Sequence, residues 1–562
     1  MSLSARSVFV IASLSLSFAA CTPSPEASNE PSLSATADGP EQGGSEQPPV
    51  EETVMCEVDQ PWPYPSNSPY VGVHAGPSNN DLVPCTLAKE YTEAWHALKG
   101  RAIAQPNTYS PDGLTTYVTT TAPSAGDCTV HAISTETGDV LWCRAYDDAT
   151  LWSSVEVDED GFLYFTTGES IISLHPDGAD RWAVFTPEHP GGHNGAIGLH
   201  FSPDGHIATV TDQGTVLLLT RAEGALLASL DIPTIFGFTP IATADLGISL
   251  VDLMPESIQE DFASFQEGDP GVLLGVFTGQ GNFSDNTIGI APSGDLYVVG
   301  GGPESTDGAL VQIRVGGTPE APQLSPGWHV PLVASSASSP AISPDGKYVK
   351  ISDGNSTANF LNPDSSQATT RLMDIAACDA NTDADPDPDV CAPAINVPLA
   401  TGPILGTTPM LADGIHYVYE VQFADLMNDE AADLRAFDGD ELLWELVLPD
   451  HLQWSSVITV TNEHLVGTAT AFTASEHAIF TVELPQTATS ELLVIDRFTG
   501  EIAFRAPVTD DSTSTVTVGP DRSLYVTMLT LLHTMSVETH PVGGIIRFKP
   551  ADTGDVRESR AR

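Results

Sequence analysis

Between Cys378 and Cys391 the chain reads CDANTDADPDPDVC, with Asp383, Asp385, Asp387 and Asp389 on alternate positions. Alternate carboxylates offer the hard oxygen ligands that calcium takes. Asp383, Asp385 and Asp387 are spaced like the opening of an EF-hand loop. However, Pro388 stands where the turn glycine belongs and Ala394 where the bidentate glutamate belongs. The stretch is therefore read in two ways. It is a calcium site on the four aspartates, or a solvated acidic loop under a disulfide, where so short a loop adds roughly 3 kcal/mol. A second constellation is EHPGGHNGAIGLH, with His189, His193 and His200. Three imidazoles suit a transition metal, but no carboxylate or cysteine is spaced to complete a helix-based set. Polar loop residues are the plainer reading. VVGGGPESTDG at 298–308 does not open a helix and fits a hairpin loop, not a phosphate cradle. Neither Gly-x-Ser-x-Gly nor His-Glu-x-x-His is present.

The elements that hold these loops repeat along the chain. SPDG stands at 110–113, 202–205 and 343–346, with variants DEDG at 158–161, APSGD at 291–295, LADG at 411–414 and GPDRS at 519–523. Proline sets one turn angle, aspartate bonds back to the backbone, and glycine takes positive φ. A run rich in β-branched and aromatic residues follows most of them, such as FLYFTT or KYVKIS, and reads as a strand. A second turn-and-strand mark closes many units: TETGDVLWC, PDGADRWAVF, AEGALLASL, DGDELLWELVL and FTGEIAFRA. Four antiparallel strands in about 45 residues make a propeller blade. The expected fold is all-β: an eight-bladed β-propeller of four-stranded antiparallel blades across 91–550. Blades start near residues 107, 152, 195, 285, 338, 404, 454 and 512. Residues 233–284 read as an insertion on one face, with a short helix in MPESIQEDFASFQ; a degenerate ninth blade is the alternative. YTEAWHALKG at 91–100 has the look of an outer strand, and GGIIRFKP at 543–550 ends a blade that lacks one. Pairing them closes the ring with an N-terminal strand and removes free edges.

These units resemble the propeller repeat of quinoprotein dehydrogenases, a threonine-glycine turn followed by tryptophan. Here it is carried by Thr137, Gly138 and Trp142, by Gly178 and Trp182, by Gly439 and Trp444, and by Thr499, Gly500 and Phe504. The resemblance spans roughly residues 90 to 550 and implies that Trp95, Trp142, Trp182 and Trp444 dock between adjacent blades. In such dehydrogenases the fold carries pyrroloquinoline quinone (PQQ) and calcium, often under a disulfide of adjacent cysteines. This chain has no Cys-Cys pair and no recognisable set of calcium ligands with a catalytic aspartate. In architecture it is closer to the lipoprotein propeller of the outer-membrane β-barrel assembly machine, which has eight blades, a lipidated cysteine and no cofactor. The linker, the cysteines and the insertion depart from that pattern.

Charge and the N-terminus set the address. Asp and Glu number 75 against 20 Lys and Arg, a formal net charge of -55. Such a surface repels phosphate backbones and anionic headgroups, so nucleic acid is excluded as a partner and a membrane is met only through an anchor. MSLSARSVFVIASLSLSFAAC reads as an export signal over 1–20 whose apolar run is too short to span a bilayer comfortably. Its Ala-Ala-Cys ending resembles a bacterial lipoprotein box and implies lipidation of Cys21; Phe18 departs from the usual leucine. Residues 21–53 are rich in Ser, Pro, Glu and Gly and predict a disordered acidic linker. Residues 54–90 form an N-terminal extension, and 551–562 a tail. Seven cysteines less Cys21 leave six in neighbouring pairs, expected as Cys56–Cys85, Cys128–Cys143 and Cys378–Cys391.

The reading is an exported lipoprotein of the outer membrane or cell surface of a Gram-negative-type bacterium. It is expected to act as a non-catalytic binding or scaffold module of the cell envelope, with a protein or glycan partner on a propeller face and no cofactor. The alternatives are a PQQ-dependent type of oxidoreductase and a calcium-dependent carbohydrate or adhesion protein.

Overall fold

The punctuation turns fold as their residues dictate. At Ser110–Gly113 the Gly113 N–H donates to Ser110 O at 2.8 Å with Gly113 at φ 70°, and Asp112 Oδ1 accepts from Leu114 N–H at 3.0 Å. The copy at Ser343–Gly346 repeats this, with Gly346 N–H to Ser343 O at 2.8 Å and Asp345 Oδ1 accepting from Lys347 N–H at 3.1 Å. Left-handed φ costs glycine little. Every such turn starts a second strand antiparallel to the first.

The computed structural model describes residues 56–551 apart from 57–61, 63–64, 67, 147–152, 189–193, 241–250, 266–282, 285, 305–306, 333–335, 337, 354–366, 381–390, 392–394, 402–409, 413, 420–432, 450–451 and 480–481. Eight antiparallel sheets form the eight blades of a β-propeller. Their inner strands are Thr108–Tyr109, Glu156–Val157, Ala196–Phe201, Gly289–Ile290, Ala341–Ile342, Met410–Ala412, Thr459–Val460 and Thr517–Val518. Blade 7 carries one extra strand, Leu452–Trp454, beside its long hairpin His464–Ile479/Val482–Asp496. Blade 8 closes the ring: Tyr91–Ala97 pairs with Gly544–Pro550, from Tyr91 opposite Pro550 to Ala97 opposite Ile545.

Most inner strands are two residues long, which leaves amides of the second strand without a ladder partner. Serines ahead of the inner strand take that place. Ser153 Oγ accepts from Thr166 N–H at 2.9 Å, Ser338 Oγ from Ser352 N–H at 3.1 Å, and Ser456 Oγ from Thr468 N–H at 2.7 Å. Buried backbone donors are thereby satisfied.

Aromatic side chains couple the blades. Trp95, on the closing strand of blade 8, donates from Nε1 to Thr135 O of blade 1 at 3.0 Å. Trp142 donates to Pro176 O, Trp182 to Arg221 O and Trp444 to Arg497 O, at 3.0, 3.0 and 2.9 Å, always one blade onward. Each indole lies on the turn glycine of that next blade. A Cβ at Gly138, Gly178, Gly224 or Gly500 would come within 2.7–2.8 Å of the ring. Within a blade the same tryptophan meets a buried second-strand tyrosine: Tyr117 with Trp142, Tyr164 with Trp182, Tyr417 with Trp444, and Tyr525 with Trp95, at centroid separations of 5.7–6.1 Å.

The insertion leaves blade 3 through the helix Ile232–Phe236, capped by Asp231. Its second helix, Glu256–Phe265, buries Ile258, Phe262 and Phe265 on one face. That face packs with Leu484 of blade 7, with Leu531 and Leu532 of blade 8, and with Ala102 before blade 1. The chain is back at blade 3 where Phe283 N–H donates to Asp212 O at 2.6 Å. A helix anchored half a ring away makes this stretch an insertion and not a ninth blade.

The docked indoles make a graded test. Gly178 (φ 81°) faces Trp142, whereas Gly439 (φ 63°) has nothing within 4 Å of an added Cβ. Gly439→Ala should cost only the left-handed backbone, about 1–2 kcal/mol. Gly178→Ala should cost about 1–3 kcal/mol more through overpacking. Urea unfolding of the two variants measures the difference, and equal losses would contradict indole docking.

Candidate functional site: the plugged axis of the ring

The inner strands end in backbone groups around the ring axis, and residues 65–87 run across those ends. On blade 2, Ser66 N–H donates to Val157 O at 3.1 Å, and Val157 N–H donates to Val71 O at 2.9 Å. On blades 4 and 5, Ile290 N–H donates to Pro77 O and Ile342 N–H to Ser78 O, both at 2.7 Å. On blade 7, Val460 N–H donates to Asp81 O at 2.9 Å and Val83 N–H to Val460 O at 2.8 Å. Cys56 and Cys85 bracket the segment with Cα atoms 5.7 Å apart, at disulfide distance, and Cys56 N–H bonds Pro520 O of blade 8. Tyr70, Val71, Asn79, Asp81 and Val83 have no exposed surface.

The backbone of this plug is strained. His74, Ala75, Asn79 and Asp81 stand at φ 54, 65, 50 and 48°. Left-handed conformations of residues other than glycine cost on the order of 1–3 kcal/mol each and persist only where the surroundings over-determine them. Asn79 shows how. Its Nδ2 donates to Ile288 O at 3.0 Å, and its Oδ1 accepts from His200 Nε2–H of blade 3 at 2.9 Å.

A three-residue relay joins the plug to blades 4 and 5. His74 Nδ1 lies 3.0 and 3.2 Å from the Asp81 oxygens, and its Nε2 lies 3.1 Å from Ser339 Oγ. Ser339 Oγ is also 3.0 Å from Thr287 Oγ1. The order Asp–His–Ser is that of a hydrolytic triad. Yet Ser339 has no exposed surface, and no substrate carbonyl reaches its Oγ in this arrangement. Chemically the relay is a latch that satisfies buried polar groups. Burial raises the Asp81 carboxyl, against the lowering pull of His74. Beside it, the Glu156 carboxyl presses on Gly72, with Oε1 3.6 Å from His200 Nδ1. Burial raises Glu156 well above the carboxylate range and pushes His200 down to about 3, so both are held toward their neutral forms.

The residues singled out in the sequence fall elsewhere. Asp383, Asp385, Asp387 and Asp389 lie outside the described residues, as do Cys21, His189 and His193. His200 is described, and it serves the plug. Asp379, at the head of the aspartate stretch, accepts from Trp328 Nε1–H at 3.2 Å and Gln312 Nε2–H at 3.1 Å, and so joins blade 5 to blade 4. Cys128 and Cys143 have Cα atoms 5.7 Å apart, and Cys378 and Cys391 4.6 Å. Trp95, Trp142, Trp182 and Trp444 lie at blade interfaces. Sequence reasoning missed His74, Asn79, Asp81 and Ser339. Residues 65–85 nevertheless carry Tyr70, Val71, Val73, Leu82 and Val83, where the linker 21–53 has no aromatic residue, and end on a cysteine.

No family model matches the chain, and no curated relative matches it. Among solved structures it is similar to the quinohemoprotein alcohol dehydrogenase of Comamonas testosteroni, at TM-score 0.51 and 11% identity over 86% of this chain and 80% of that one. It is also similar to a europium-containing methanol dehydrogenase, at TM-score 0.50 and 11% identity over 87% and 98% of the two chains. BamB from Moraxella catarrhalis gives TM-score 0.32 and 11% identity over 82% and 99%. At 11% identity these likenesses are of fold, the β-propeller.

Buried histidines set the acid response. Burial lowers His200 to about 3, and His131 and His416 to about 4. The unfolded chain binds a proton at each below about pH 6.5, and the native chain does not. Their contribution is complete above that pH and is lost as pH falls toward 4, at about 1.4 kcal/mol per pH unit each. Glu156 and Asp81, raised by burial, act oppositely and weaken the fold as pH rises through their folded values. His416→Gln keeps a donor for Gly439 O, which His416 Nε2 meets at 2.7 Å. It should cut the slope of unfolding free energy between pH 6 and 5 by about 1.4 kcal/mol per pH unit. An unchanged slope would mean that native His416 is protonated there.

Proposed function

We propose that the chain is an exported, lipid-anchored binding module of the cell envelope, a rigid ring whose loops engage a protein or glycan partner and which performs no chemistry of its own. The plugged mouth of the axis carries this reading. A propeller offers its central channel as the natural ligand site. Here a ligand entering at the plugged mouth would have to displace Tyr70, Asn79 and Asp81 and break backbone bonds to blades 2, 4, 5 and 7. The burial of Ser339 in the latch supports the same reading, because a serine aligned by a histidine is spent on structure. Export and anchoring rest on the signal-like first 20 residues and Cys21.

Two measurements test this. With PQQ and calcium added, the purified protein should give no dye-linked dehydrogenase activity above the protein-free blank; turnover on an alcohol would overturn the scaffold. In cell fractionation, Cys21→Ser should move the protein from the membrane to the soluble fraction. Retention on the membrane would remove the lipid anchor from the proposal.

A further inference from the structure

Blade 6 ends on the strand Glu441–Val447, which lies last in its sheet. It pairs inward with Asp433–Asp438, from Asp433 opposite Val447 to Asp438 opposite Glu441. Among the described residues no backbone pairs with its outer side. Such an edge is a template for a further strand. Trp444 and Leu446 pack with the core that blades 6 and 7 share. The side chains between and before them stay in water. Leu442, Leu443 and Val447 are 49, 46 and 58% exposed, and Glu445 is exposed among them.

The other outer strands are protected or differently furnished. Proline cannot donate to an added strand. It interrupts the edges of blade 4 (Pro322, Pro326, Pro331), blade 5 (Pro398) and blade 7 (Pro507). The edges of blades 1 and 2 carry Arg144 and Arg181. That of blade 3 exposes one large apolar side chain, Leu226, and that of blade 8 none. Blade 6 combines an edge without proline, three large exposed apolar side chains and acids without a cation. Glu441 and Glu445 form no ion pair with a described residue, and Asp438 and Asp440 precede them in the turn.

These features choose the occupant. Two-fold pairing of this edge with itself about Glu445 would set two glutamates opposite each other, where like charges destabilise. It would also join two chains of formal net charge -55. A second copy therefore fits poorly, and a basic segment fits well. We propose that the outer edge of blade 6 takes an extended segment of a partner protein by strand addition. A lysine or arginine of that segment lies opposite Glu445, and apolar side chains on either side of it cover Leu443 and Val447. Main-chain bonds hold the segment, and the alternation of its side chains selects it. The inference rests on the binding-module reading and gives that module a surface and a partner class.

The probe is a blocked synthetic peptide, Val-Thr-Leu-Thr-Lys-Thr-Leu-Thr-Val. Its control has proline in place of the two threonines beside lysine, which keeps the charge and prevents pairing. At physiological ionic strength the peptide should bind the purified protein and slow hydrogen exchange in 441–447, with no change in the outer strands of blades 2 and 3. Leu443→Lys with Val447→Lys should weaken binding about tenfold or more. Ala183→Lys with Phe185→Lys makes the same charge change at exposed positions of blade 2 and should leave binding unchanged. No binding, equal binding of the control peptide, protection elsewhere, or equal loss in the two double variants would each overturn the proposal. Any of these removes the edge and leaves the binding-module reading standing. Dehydrogenase turnover with PQQ and calcium would remove that reading, and the role of the edge with it.

Discussion

A ring of blades still leaves a short strand edge on every blade at its rim, and it gathers strand ends around its axis. Those ends carry N–H and C=O groups that are costly to bury unpaired. Everything else in this molecule depends on how they are satisfied. Serines ahead of the short inner strands serve the second-strand amides. The segment from Ser66 to Val83 serves the other ends, bonding to blades 2, 4, 5 and 7. Its four strained residues are the cost of following a path set by the ring and not by its own conformational preference. The latch of Asp81, His74 and Ser339 includes two of these strained residues, where polar groups taken from water find each other.

Around the axis the blades are coupled by one repeated contact. An indole reaches one blade onward, lies on a turn glycine and donates to a carbonyl of that turn. Its own blade supports it with a tyrosine. Glycine is required twice over, for positive φ and for the space the ring occupies. Half-buried and with its N–H paired across the blade interface, each tryptophan is a structural residue. Blade 5 varies the device: Trp328 donates to Asp379, at the start of the aspartate stretch. The acidic run is tied at its first residue, Asp379, into blade packing.

The fold was legible because its determinants are local. The Asp-Gly turns, the alternating strands, the Trp-Gly spacing and the closing strand each occupy a few consecutive residues. The short helix expected in MPESIQEDFASFQ is present at Glu256–Phe265. The plug was not legible, for two physical reasons. Its bonds are to strand ends hundreds of residues away, as from His74 to Ser339 and from Asn79 to His200, which no local period encodes. Its residues Asn79 and Asp81 also take left-handed conformations that only the assembled ring enforces. His200 was noticed for its imidazole, and its partner turned out to be an asparagine of the plug. Trp142 and Trp182 are legible because the repeat that marks them is also the device that positions them on Gly178 and Gly224.

The central claim is that the N-terminal segment is an integral part of the ring and closes one mouth of its axis. Hydrogen exchange of peptides covering residues 68–87, compared with those covering Leu163–Thr166 and Leu524–Met528, tests it most directly. The account expects the plug amides of Val83 and the plug-bonded amides of Val157, Ile290, Ile342 and Val460 to exchange only with the blades, through global unfolding. Exchange of this segment at the rate of surface turns, while the blades stay protected, would contradict the claim and leave the axis open to a ligand.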